Sequence, residues 1–105
     1  MNKATAIDLV ERARALAPLI RQESDEIERT RRLTEPVVSA LLDNGMYRAL
    51  LPKSLGGAEV PLMTFMQMQE VIAGADASTA WCLGQCSVCA VISAYLDHDA
   101  ANEIF

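Results

Sequence analysis

The fold turns on one stretch: Ala77-Ser78-Thr79-Ala80-Trp81-Cys82-Leu83-Gly84-Gln85-Cys86-Ser87-Val88-Cys89-Ala90-Val91-Ile92-Ser93-Ala94-Tyr95-Leu96, which carries no charged side chain. At about 3.6 residues per turn it is long enough for a helix of more than five turns. It is apolar nearly all the way round, and such a helix must be buried on most faces, in a large core or a membrane. A chain of 105 residues cannot easily wrap it. The run therefore implies a further covering surface: another domain, another subunit, a ligand or a bilayer.

Upstream, Gly74-Ala75-Asp76 makes a turn, and Asp76 or Ser78 can cap this apolar helix. Pro61 starts the helix before it, with Leu62, Phe65, Gln69 and Ile72 on one side. Met46 to Val60 is the one long irregular stretch, and its Gly56-Gly57 pair permits backbone angles closed to other residues. A short helix precedes it, opened by Thr34-Glu35-Pro36, buried through Val37, Val38, Leu41 and Leu42, and ended by Asn44-Gly45. The first helix is read from Ala6, Leu9, Ala13, Leu16, Ile20 and Ile27, with a capping box at Thr5-Ala6-Ile7-Asp8. Pro18 lies inside that pattern and predicts a kink or break near Arg14 to Ala17. Downstream, Asp97-His98-Asp99 closes the apolar helix and caps a fifth, Ala100 to Phe105. No alternating stretch of strand length is present. The class is all-α, a bundle of four to five helices forming one domain over residues 1–105.

Composition narrows the partners. A hydrophobic content of 51% with 22% charge is globular. The net charge of −5 argues against nucleic acid, which needs a basic stripe. Arg29, Arg31 and Arg32 are the one basic cluster, and beside Glu26 and Glu28 they read as a solvated helix end. The Met1-Asn2-Lys3 start has no secretion pattern, which makes the cytoplasm the expected compartment and the three cysteines thiols. Ala77 to Leu96 reaches the length of a membrane span, but Gln85 and the scattered Ser and Gly make it a poor one.

Few residues suggest chemistry directly. Cys82, Cys86 and Cys89 have a C-x3-C-x2-C spacing that would set three thiols along one helical stripe. Without the loop context of a cluster-binding enzyme they read as small buried hydrophobes, and no metal site is expected. His98, the sole histidine, has no nucleophile or second ligand to work with and reads as a surface residue. Met63, Met66 and Met68 read as core filler, and Trp81, taken alone, as core packing.

Two segments resemble a known family. Asn44-Gly45-Met46-Tyr47-Arg48-Ala49-Leu50-Leu51-Pro52-Lys53-Ser54-Leu55-Gly56-Gly57 is similar to the link between the second and third helices of the acyl-CoA dehydrogenase amino-terminal domain. Asp76-Ala77-Ser78-Thr79-Ala80-Trp81 resembles the opening of the fourth helix in the branch of two-component flavin monooxygenases that share that fold. The resemblance implies a three-domain enzyme whose middle β-domain and carboxy-terminal four-helix bundle lie outside this chain, and which forms an oligomer. It implies FAD or FMN as cofactor, not held tightly by this chain alone, and no catalytic residue within it. The fourth helix would sit between the others and line the substrate pocket, with Trp81 beside the flavin and Gln85 and Cys89 toward substrate. Some hydroxylases of that branch carry a histidine where this chain has Cys89, and a thiol does not replace imidazole as a base near neutral pH unless its pKa is lowered. Reduced flavin with oxygen would give hydroxylation; an acyl thioester would give desaturation. The competing reading is a non-catalytic helical module that binds a partner protein through its apolar surface.

Overall fold

The computed structural model describes the backbone of residues 6–105 and the side chains from Leu9 onward. Five α-helices follow one another: α1 (Ala6–Thr30), α2 (Glu35–Asp43), α3 (Leu62–Ala75), α4 (Ala77–Val91) and α5 (His98–Ile104). Short 3₁₀ turns at Met46–Arg48, Lys53–Leu55 and Ile92–Tyr95 join them, and the described residues contain no strand. This is the all-α bundle expected. The capping box at Thr5 lies outside the described residues.

α1 is the long strut. Leu9, Ala13, Ile20 and Ile27 are buried along one stripe and meet Phe65, Met68 and Ile72 of α3, the most extensive helix pairing in the molecule. The break expected at Pro18 does not occur, because the helix runs unbroken from Ala6 to Thr30. Pro18 is exposed, as is Arg14 four residues earlier, so the carbonyl that loses its amide donor lies on the watered side and can bond solvent.

The α2 reading holds for Val37 and Leu41, which are buried, while Val38 is half-buried and Leu42 exposed. Pro36 occupies the first turn, and Gly45 follows the helix in the left-handed region at φ +71°. On α3 the buried side is Phe65, Met68 and Ile72, with Gln69 half-buried; Leu62 is exposed. Of the three methionines read as filler, only Met68 is interior; Met63 and Met66 face solvent.

Met46 to Val60 folds back on itself. Ala58 N donates to Arg48 O at 3.0 Å, Val60 N to Ala49 O at 3.0 Å, and Arg48 Nη2 to Leu55 O at 2.7 Å. The two glycines serve different ends. Gly56 sits at φ +84°, whereas a Cβ on Gly57 would stand 2.0 Å from Leu51 O. The first needs the angle and the second the absence of a side chain.

Candidate functional site

α4 begins firmly anchored. Asp76 Oδ2 accepts from Thr79 N at 2.8 Å and from Thr79 Oγ1 at 2.7 Å, so Asp76 is the cap. One turn on, Gln69 Nε2 of α3 donates to Ala80 O at 2.8 Å. A Cβ on Gly84 would come within 2.8 Å of that same Nε2. Glycine in a helix interior ordinarily weakens it by about 0.5–1 kcal/mol. Here it opens the gap through which α3 reaches the α4 backbone beside Trp81.

Thr79, Ala80, Leu83, Ser87 and Ala90 form the buried seam of α4. The opposite side is open: Trp81 is 70% exposed, Val88 60% and Ile92 54%. Neither burial on most faces nor a place between the other helices is achieved in this chain, because α4 packs on α3 and the Met46–Arg48 turn and leaves its outer flank uncovered. Ala77–Tyr95 meets the length and hydropathy of a membrane span, with only 33% of its most apolar window buried.

Trp81 is therefore not core packing. Trp81, Gln85 and Cys89 stand at intervals of four, share the outer flank, and are all exposed. The cysteines are likewise corrected: Cys82, Cys86 and Cys89 are exposed free thiols, because the seam falls on the residues between them. Among the described residues, no group of three His, Cys, Asp or Glu side chains is placed to hold a metal ion. His98 is exposed in the first turn of α5, where Asp97 caps Ala100 N.

A groove of about 720 Å³ opens where the end of α1 faces the start of α4. Ile27, Glu28, Arg31, Arg32 and Leu33 form one wall; Ala77, Ser78, Trp81 and Cys82 form the other. Gln85 and Cys89 lie beyond it along α4. The basic cluster divides at this point. Arg29 Nε bonds Glu26 Oε1 at 2.9 Å on the solvated surface, which holds the Glu26 carboxyl below its ordinary pKa, while Arg31 and Arg32 border the groove. All three arginines are exposed, so the solvated-end reading holds, and Arg31 and Arg32 border the groove as well. In a separate cavity of about 260 Å³, Cys86 meets Tyr47, Arg48 and Phe105. Burial raises the Tyr47 phenol above its ordinary pKa, and Cys86 and Cys82 act in the same direction.

An exposed indole thus stands at a groove lined by apolar and cationic side chains, on a helix with one uncovered flank. The family model for the acyl-CoA dehydrogenase N-terminal domain matches residues 5–102, and the chain belongs to that family. It is 31% identical over 77 residues to the oxygenase component of p-hydroxyphenylacetate 3-hydroxylase from Acinetobacter baumannii, covering 73% of this chain and 18% of that protein. It is 41% identical over 56 residues to indole-3-acetate monooxygenase from Pseudomonas putida, covering 53% and 14%. With the flavin-dependent monooxygenase oxygenase subunit HsaA of Rhodococcus jostii (strain RHA1) the identity is 33% over 72 residues, covering 69% and 19%. The chain thus spans less than a fifth of the length of these relatives.

Proposed function

We propose that this chain is the amino-terminal pocket domain of a flavin-dependent oxidoreductase of the hydroxylating kind, working with a flavin-binding domain and a carboxy-terminal bundle that the 105 residues do not include. One observation carries the reading: the sole tryptophan is 70% exposed at the mouth of a groove, on a helix whose buried seam lies elsewhere. An indole left in water has no packing role to explain it, and its flat face suits a planar ring. The named relatives, each a monooxygenase or hydroxylase, favour hydroxylation over the desaturation that the wider family allows.

Trp81 fits a flavin ring or an aromatic substrate by stacking, held in place by the Asp76 cap and the Gln69 bond on either side of it. When bound, reduced FMN or FAD would supply the electrons for oxygen chemistry at a carbon centre. Gln85 and Cys89 extend the same flank toward substrate, Gln85 as a hydrogen-bonding side chain and Cys89 as a small apolar wall. Val88 and Ile92 beside them exclude water once a covering domain is seated. No proton-transferring residue is assigned to this chain, so the chain alone is inactive, and the cytoplasm suits its free thiols.

Expressing the reading frame with whatever follows Phe105 tests the proposal. The product should take up FMN or FAD, and Trp81→Ala should weaken flavin or substrate binding while Trp81→Phe retains most of it. A product that binds no flavin, or equal affinities across wild type and both folded variants, would remove Trp81 from the site. Stable capture of another protein by a flavin-free product would favour the interaction module instead.

A further inference from the structure

The thiols of α4 have no task in the flavin reading beyond the wall that Cys89 provides, and they are not equivalent. Cys82, Cys86 and Cys89 are free and exposed, and they project along one stripe of the helix. On regular helix geometry Cys82 and Cys89 stand about 10 Å apart along the axis, too far for a bond between their sulfurs. Cys82 and Cys86, four residues apart, have Cα atoms about 6 Å apart, and Cys86 and Cys89, three residues apart, about 5 Å. Both separations fall within the disulfide range. Cβ atoms at these spacings stand about 5–6 Å apart, whereas a disulfide needs roughly 4 Å, so either bond must bend the turn that carries it.

The two turns resist bending unequally. The turn from Cys82 to Cys86 lies in mid-helix, just after the Ala80 carbonyl that Gln69 holds at 2.8 Å, and it contains Gly84, against which the same amide packs. After Cys89, only Ala90 and Val91 remain before the helix tightens into the 3₁₀ turn Ile92–Tyr95. Carbonyls at a helix end lack α-helical partners, so bending there breaks fewer bonds. Cys86 also borders the cavity of about 260 Å³, which gives its sulfur room to move. An accessible thiol with a second one poised to resolve it is the arrangement by which cysteines sense oxidants.

We propose that Cys86 and Cys89 form a dithiol modification site, oxidised to a disulfide within α4 by hydroperoxides, hydrogen peroxide included. One thiolate attacks the nearer peroxide oxygen; an S–O bond forms, the O–O bond breaks, and the departing alkoxide or hydroxide takes up a proton. The second thiol attacks the resulting sulfenic acid; the S–S bond forms and the oxygen leaves as water. Two thiols thus lose two electrons and two protons, and the hydroperoxide is reduced to an alcohol, or water, plus water. The bent turn makes the bond easy for small thiols to reduce, as reversible disulfides of a reducing compartment are. This site stands apart from the flavin reading, because the dithiol closes whether or not flavin binds.

The product of the whole reading frame is used for the test, so that whatever covers α4 in the working protein is in place. It is treated with hydrogen peroxide in modest excess, its free thiols are alkylated, and chymotryptic peptides are weighed. Cleavage after Leu83 separates Cys82 from the other two, which stay together in Gly84 to Tyr95. That peptide should emerge unalkylated and lighter by two hydrogens, while Cys82 is alkylated, and glutathione should restore both thiols. Cys86→Ser and Cys89→Ser should each stop at a sulfenic acid on the remaining partner, trapped by a cyclic 1,3-diketone. Cys82→Ser should leave the linkage unchanged. The amides of Ala90 and Val91 should exchange faster in the oxidised form, the mark of a bent last turn. A link through Cys82, a link between chains, single oxidised thiols without linkage, or thiols untouched by a large excess of peroxide would each overturn the proposal.

Discussion

α1 and α4 are both pinned to α3 by a narrow apolar stripe, yet their far sides differ completely. Away from Leu9, Ala13 and Ile20, α1 presents Glu11, Arg14, Arg21, Gln22 and Asp25 to solvent. Away from Leu83 and Ala90, α4 and the turn that follows it present Trp81, Val88 and Ile92 with three thiols and no charge. One helix turns charged side chains to water, the other uncharged ones. Packed seam and uncovered apolar surface therefore lie on different flanks of α4, and each can be perturbed separately.

The largest effect should come from the uncovered flank. At about 25 cal/mol per Å², hiding even ~300 Å² of apolar surface is worth several kcal/mol before the cost of association is subtracted. The isolated chain is expected to self-associate at micromolar concentration through α4 and to bind a dye specific for exposed apolar surface. Val88→Lys with Ile92→Lys should leave a monomer with near-unchanged helicity, whereas charge added on α1 at Gln22 should change nothing. Sedimentation velocity decides it. A wild-type monomer without dye binding would mean that the flank is tolerated in water and the contrast with α1 has no consequence.

Next comes the seam. Leu83 is fully buried and Val88 mostly exposed, five positions along the same helix. Leu83→Ala should lower unfolding free energy by about 2–5 kcal/mol in urea, since it removes packed volume from the core. Val88→Ala should change it by less than about 0.5 kcal/mol, measured at concentrations where the chain is monomeric. Equal losses would show that the two flanks are not distinct in solution.

Much of this arrangement was legible in the sequence, and the limits have physical causes. The Asp76 cap, the Gly45 stop and the α1 stripe are local: each depends on a few neighbouring residues, and each is found where periodicity and capping chemistry put it. The charge-free run signalled a missing surface, but not which side of α4 would be left open. With apolar residues all round, period alone cannot choose between Leu83 and Val88; only the approach of α3 decides. That approach left a mark at Gly84, a glycine inside a helix, whose reason is the Gln69 side chain fifteen positions away and invisible to local pattern. Arg31 and Arg32 are exposed as the sequence has them, but the groove they border was not legible, because its other wall comes from a helix far along the chain.

A smaller test follows at that contact. Gly84→Ala gains about 1 kcal/mol of helix propensity but pushes Gln69 Nε2 from its place and leaves a half-buried amide without its bond, a loss of about 1–3 kcal/mol. A net destabilisation near 1 kcal/mol is expected, with a shift in Trp81 emission because the neighbouring Ala80 carbonyl loses its tether. Gln69→Leu in the same background should then cost almost nothing further, since the bond is already gone. Full additivity of the two substitutions would show that Gln69 and Gly84 act independently.

The smallest effect concerns Tyr47, which lines the 260 Å³ cavity with Cys86 of α4, one turn along from the groove. Burial, helped by Cys86 and Cys82, raises its pKa above the ordinary 10.0. A raised pKa means that the folded chain holds the phenolic proton more tightly than the unfolded chain does. The resulting stability is fully present below the unfolded pKa and is lost as pH rises through the folded one. Melting temperature should therefore fall above pH 10, and Tyr47→Phe should fall less steeply over the same range because it has no proton to lose. Tyr95, 85% exposed, serves as the control: Tyr95→Phe should follow wild type. If Tyr47→Phe and Tyr95→Phe give the same alkaline slope, the covered side of α4 is as open to water as the uncovered one, and the division of the helix into two flanks fails at its most sensitive point.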